Sequence, residues 1–258
     1  MPKNKIIEEN LSLTSPTIYE IIVQEGREEL ERPPSSLLFS GIVAGICMSF
    51  SLYTMGYLSL LTDNRALIAM GYTIGFLMVS KGRFQLFTEN TITAILPALN
   101  AFSLKTSLCT ARLWVIVFIA NMIGTAFSAF LMGPAGVASS EQLEVFLSIS
   151  KNFVVKESPE TIFLTAIPAG FILATMVWML PNTQNSKIFV VLLMTYVIAI
   201  GHFSHVVAGS SEAFLLLFEG QLSLADTLTY ISLAGLGNIV GGTVLFSLLA
   251  YAQTYKEL

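Results

Sequence analysis

The chain is 258 residues long, 54% hydrophobic and only 12% charged, with a formal net charge of -4 and a mean hydropathy of +0.72. Soluble domains average roughly 25% charged residues, so this composition excludes an ordinary globular protein and describes an integral membrane protein. No basic stripe points to a nucleic-acid partner, and two cysteines in or beside apolar runs, Cys47 and Cys109, are expected to be packed residues or free thiols and not a disulfide framework.

Residues 1–36 carry Glu8, Glu9, Glu25, Glu28, Glu29 and Glu31, too polar for a cleaved signal peptide, and read as a cytosolic arm. Thr17 to Leu30 is expected to form a short helix that Pro33 and Pro34 stop. Residues 37–255 then form the membrane domain. Its charge-free runs are Leu37 to Leu61, Ala66 to Ser80, Thr91 to Leu104, Leu113 to Ser140, Thr161 to Ser186, Ile188 to Ser211 and Thr227 to Tyr255. About 20 apolar residues cross the hydrocarbon, so the first, fourth, fifth and last runs each supply a full span.

The second and third runs are too short to span and are separated by "KGRFQLFTEN", which holds Lys81, Arg83 and Glu89. Together they read as one broken span, because non-helical backbone at membrane depth survives only where protein or water surrounds it. The sixth run leads into "GHFSHVVAGSSEAFLLLF", where Gly201, Gly209 and Ser210 are expected to interrupt a second span before Ala213 to Phe218 completes it. The outer connection, Gly133 to Glu160, contains an interfacial helix candidate at Leu143 to Ile149.

The breaks fall in spans two and five of six. An inverted repeat places its discontinuous helices that way, here over about 37–132 and 161–255. Internal matches agree: "IVAG" at Ile42 with "IPAG" at Ile167, and "ANMIGTAFSAFL" with "GNIVGGTVLFSLL", which pairs Asn121 with Asn238. Placing the N-terminus inside puts Lys3, Lys5, Arg27, Arg32, Lys105, Arg112, Lys187 and Lys256 in cytosolic segments, and only Arg65, Lys151 and Lys156 outside. The positive-inside bias favours that orientation, with both termini cytoplasmic.

Ionisable residues inside a membrane are costly and are functional candidates by default. Lys81 or Arg83 can pair with Glu89 or Glu212 across the two broken spans, which either clamps the repeats or belongs to the pathway. His205 reads either as a core histidine or as a neutral imidazole beside a pore, able to donate a hydrogen bond or a proton to a passing anion. "HFSH" lacks the further ligands a metal needs, so no metal or other cofactor is expected. Ser210 and Ser211 lack the elbow of a serine hydrolase, and the chain does not read as an enzyme. Asn121 and Asn238 read as interhelical contacts.

"LFTEN" from Leu86, "HFSHVVAGS" from Gly201's neighbour His202, and "GNIVGGT" in span six resemble the formate/nitrite transporter family over nearly all of residues 35–255. The resemblance implies an all-α, aquaporin-like six-helix inverted repeat with broken second and fifth helices. It further implies a homopentamer with one pore per protomer, passing small monovalent weak-acid anions across a bacterial inner membrane. Carried over, the central pore histidine is His205 and its hydrogen-bonding loop threonine is Thr88. Leu86 and Phe87 would narrow the cytosolic side, and Tyr72, Phe76 and Ile198 the outer side. An anion would gain a proton near His205 and cross as the neutral acid. The chain departs from the family at Ser204, where formate channels have an acid, and at Ala174, where an amide is expected, while the vestibule lysine matches only near Lys156. An aquaporin-like neutral-solute channel and a non-conducting scaffold or sensor are the alternative readings.

Overall fold

A computed structural model describes residues 12–156, 158–183 and 186–257, and every regular element among them is helical. Lys3, Lys5, Glu8 and Glu9 of the expected arm lie outside the described residues. The arm helix α1 (Ser15–Glu31) starts on Thr14, whose side chain accepts from the Thr17 amide, and ends at Arg32. Pro33 and Pro34 stop it and also start the next helix, since a proline at the first helical position forfeits no hydrogen bond.

The first half contains α2 (Pro34–Ser59), α3 (Arg65–Gly82), two short helices α4 (Asn90–Thr93) and α5 (Leu96–Asn100), and α6 (Leu104–Met132). A capping box on Ser139 and Gln142 then opens α7 (Ser140–Val154), longer than the expected Leu143 to Ile149. The second half contains α8 (Pro159–Met179), α9 (Lys187–Ile200), α10 (Val206–Phe218), α11 (Leu224–Ile239), a π-helical stretch at Val240–Ser247, and α12 (Leu248–Thr254). Among the described residues four helical stretches are long and apolar enough to cross a membrane, and α9 and α10 are shorter apolar helices.

Two boundaries differ from the sequence expectation. The third span begins at Leu104, so Lys105 and Arg112 lie in its first turns. Lys105 is exposed, and Arg112 donates to the Leu30 and Arg32 carbonyls at the end of α1. The second break ends at His205, leaving Gly209 and Ser210 inside α10. Gly209 is needed there for packing, because a Cβ would strike the Tyr230 hydroxyl.

In lipid, hydrophobicity does not drive helices together, so close approach and interior hydrogen bonds must. Both repeats use the same approach: a Cβ on Gly45 of α2 would strike the Asn121 carbonyl of α6, and one on Gly170 of α8 the Asn238 carbonyl of α11. The opposite face of α6, with Val115, Ile119, Ile123 and Phe127, is left exposed, as suits a helix solvated by hydrocarbon. Meanwhile α1 docks on one end of the bundle, burying Ile18, Tyr19, Ile22 and Val23 against Ile92, Leu96, Ala174 and Val177. That end is called the arm face below, and α7 lies at the opposite face.

Candidate functional site

The two breaks are built alike. The half-helix α3 ends at Gly82, Arg83 turns left-handed at φ 53°, and the ring of Phe84 folds back over Gly82. At the second break Gly201 is followed by His202 at φ 49° and by Phe203, whose ring covers Gly201. Non-glycine residues seldom adopt positive φ, so its recurrence at matching points of two repeats marks a shared design.

An asparagine then brackets the tip of each loop. Asn121 Oδ1 accepts from the Phe87 amide at 2.9 Å, while its Nδ2 donates to the Gly41 carbonyl at 2.8 Å and the Gln85 carbonyl at 2.9 Å. In the second half, Asn238 Oδ1 accepts from the Val206 amide at 2.9 Å, and its Nδ2 donates to Ala166 at 2.8 Å and Ser204 at 3.0 Å. The two asparagines are thus more than interhelical contacts. Each satisfies backbone that a broken helix strands in a dry interior, and the residues held at the two tips are Leu86 and His205.

His205 is 1% exposed. It is also the N-cap of α10, its Nδ1 accepting from the Ala208 amide at 3.1 Å. A nitrogen that accepts carries no proton, so the ring hydrogen sits on Nε2 and points to Thr88 Oγ1, 2.8 Å away. That bond joins the second break to the first. It occupies a lone pair of Thr88, so the threonine's own hydrogen is left over as a donor at the centre of the molecule.

Rings lead from there to the opposite face. Phe76 meets His205 edge-on with centroids 5.0 Å apart, Tyr72 lies 5.3 Å from Phe76, and Tyr72 stacks on Phe153 at 5.8 Å. Phe153 and His202, 5.0 Å apart, help line a cavity of about 870 Å³ with Arg65, Asn152 and Ile149. Tyr72 and Phe76 therefore lie, both buried, between that cavity and His205, and Ile198 is buried in the same core. Leu86, fully buried, lies on the arm side, whereas Phe87 turns its ring onto Phe118 and Trp114 of α6.

The expected loop ion pairs do not form among the described residues. Lys81 and Arg83 end α3 in the open and are exposed. Glu89 faces Glu29 and Glu25 with its Oε1 unpartnered. Glu212 lies beyond His205 toward the opposite face, where Lys156 is the cation within reach. Lys156 donates to the His202 carbonyl at 3.2 Å. Burial pulls its ammonium below the ordinary lysine range, and Glu212 partly offsets this. Among the described residues no cluster of three or more His, Cys, Asp or Glu could hold a metal.

At the arm face, Glu29 of α1 accepts from Thr93 at 2.8 Å and from Gln85 of the first break at 3.3 Å. Burial pushes its carboxyl above the ordinary carboxylate range against the pull of those bonds. The docked helix therefore holds this proton more tightly than the undocked one. Docking should strengthen as pH falls from the raised value toward the ordinary range, and be weakest above it. Amide exchange in Ser15–Glu31, corrected for intrinsic rate, is expected to show more protection at pH 5 than at pH 8. Glu29→Gln should remove the difference, and equal protection in the wild type would contradict the assignment.

Comparison with known proteins agrees with this architecture. Residues 16–252 match the family model of formate/nitrite transporters. The chain is 38% identical over 261 residues to inner membrane protein YfdC of Escherichia coli K12, covering 99% of this chain and 84% of that protein. It is 26% identical to the uncharacterized transporter YrhG of Bacillus subtilis 168, covering 93% of each. Among solved structures, an FNT family ion channel superposes with a TM-score of 0.80 at 16% identity over 92% of this chain and 98% of that one. A pentameric formate channel with formate bound gives 0.65 at 17% identity over 90% and 98%. With spans, breaks and sequence in accord, this multi-pass membrane protein belongs to the formate/nitrite transporter family, a family of transporters and not of enzymes.

Proposed function

We propose that the protein is a homopentameric channel or proton-linked transporter for small monovalent weak-acid anions such as formate or nitrite, in a bacterial inner membrane with the arm face toward the cytoplasm. The observation that carries the reading is the 2.8 Å contact between His205 and Thr88, where the two half-helical breaks meet. Apolar residues flank it on both sides, with Leu86, next to the Gln85 that meets the arm, on one side and Phe76 against the imidazole on the other. Moving a bare anion through such a ring is prohibitive by Born solvation, whereas a neutral acid crosses at the modest cost of a polar group. Partner bonds are needed at the point of lowest hydration, and the Thr88 hydroxyl hydrogen, aligned by His205, supplies one.

The geometry refines the part His205 plays. A proton on Nδ1 would break the bond that caps α10, and loss of the Nε2 proton would leave an anionic ring. His205 therefore works first as a fixed hydrogen-bond donor to Thr88, and it relays a proton only when the Ala208 cap opens. Proteoliposomes holding the protein should take up formate or nitrite faster at lower pH. Thr88→Val, which keeps shape and removes the hydroxyl, should assemble normally with flux lowered about tenfold, the equivalent of one hydrogen bond. Water or urea permeation with no weak-acid flux would overturn the proposal in favour of a neutral-solute channel.

A further inference from the structure

The turn that presents His202 is left-handed, at φ 49°, although a glycine would adopt it at less cost. Non-glycine residues persist in that region only where their surroundings over-determine them, and they gather at functional sites. The ring of Phe203 folds back over Gly201. His202 instead lines the cavity of about 870 Å³ at the opposite face, its ring 5.0 Å from that of Phe153. The matching turn of the first break likewise presents a basic side chain, the exposed Arg83.

The cavity lining has one electrical sign. Its charged residue is Arg65, the first of α3, beside His202 and the neutral side chains of Ser59, Ser148 and Asn152. Among the described residues no carboxylate lines it. A cleft lined by one sign of charge concentrates the opposite ion. The space is also far larger than formate or nitrite, so an anion is received there with water still around it. From His202 the rings lead inward: Phe153 stacks on Tyr72 at 5.8 Å, and Tyr72 and Phe76 continue to His205. Lys156 is absent from the lining. It serves the turn instead, donating to the His202 carbonyl at 3.2 Å.

We propose that Arg65 and His202 form a receiving site for a small monovalent carboxylate or similar anion, and that Lys156 is a positioning residue that holds the left-handed turn presenting His202. The site rests on the weak-acid reading and deepens it. Arg65 and His202 collect the anion before it takes up a proton, and the rings beyond them pass the neutral acid.

The test is the initial rate of formate uptake against formate concentration at fixed pH. It uses proteoliposomes with the opposite face outward, obtained by removing on a resin those that expose an N-terminal affinity tag. His202→Gly keeps the turn, since glycine adopts positive φ freely, and should assemble as wild type. His202→Gly and Arg65→Gln should each raise KM about tenfold, the equivalent of one hydrogen bond, with the maximal rate kept. An unchanged KM in either overturns the site. Should His202→Gly fail to assemble by gel filtration, Arg65→Gln, at an exposed position, decides alone. Lys156→Met should raise KM, and Lys156→Arg, which keeps a donor, should restore it. In a His202→Gly background Lys156→Met should add nothing, because no imidazole is left to position. An equal rise in both backgrounds would make Lys156 itself the receiving group and overturn its positioning role. Wild type without flux of any weak acid removes the underlying reading instead, an outcome distinct from an unchanged KM between active proteins.

Discussion

Replacing Asn238 by leucine is expected to unfold the second half of the membrane domain. The substitution preserves bulk but strips partners from the Ser204 carbonyl and the Val206 amide at the break, and a second donor from the Ala166 carbonyl, which keeps its bond within α8. Each orphaned backbone group in a dry interior costs about 1 to 3 kcal/mol, on the order of 4 kcal/mol for the two. Typical folds hold about 5 to 15 kcal/mol in total, so the loss is a large part of the margin. Asparagine to aspartate should not rescue it: the acceptor for Val206 survives, but a carboxylate oxygen then faces two carbonyl oxygens. Asn121→Leu should fail in the same way at the first break. Heating in detergent followed by size-exclusion chromatography measures the effect, and a midpoint within a couple of degrees of wild type would refute it.

His205→Asn is the complementary case, a large functional loss at little structural cost. Asparagine is among the best N-caps, so the Ala208 amide keeps a partner and stability should change by less than about 1 kcal/mol. Its short amide cannot also reach Thr88, so the donor pair is broken and weak-acid flux should fall at least about tenfold. His205→Ala loses cap and donor together and should be worse on both counts. Flux equal to wild type in an assembled His205→Asn protein would remove His205 from the mechanism.

Much of this was legible in the residues. Hydrophobic run lengths located the spans, and "KGRFQLFTEN" announced its break because charges cannot stay in a lipid-facing helix. His205 and Thr88 came as a pair only through family likeness, since no spacing rule joins residues so far apart in the chain. The asparagines were visible as a repeat match, yet their task was not. Side-chain amides bracket a loop only once a helix crossing has brought that loop alongside. A local signal for the turns did exist: Gly82-Arg83-Phe84 and Gly201-His202-Phe203 follow one pattern, a glycine two residues before the phenylalanine that covers it. The loop ion pairs misled for a directional reason. Lys81 and Arg83 end α3 facing outward, and Glu212 is carried by α10 to the other side of His205.

The matched asparagine brackets divide labour between mount and insert. Each asparagine secures its tip through the backbone of the flanking residues, in the same pattern in both halves. The Leu86 side chain is thereby released from holding its loop, whereas the His205 side chain adds a helix cap and the bond to Thr88. One mount carries an aliphatic insert, Leu86, and the other an imidazole, His205, so a two-fold scaffold holds two unlike side chains at its centre. Position 86 can then change without loosening either bracket, while position 205 stays tied to its cap and to Thr88.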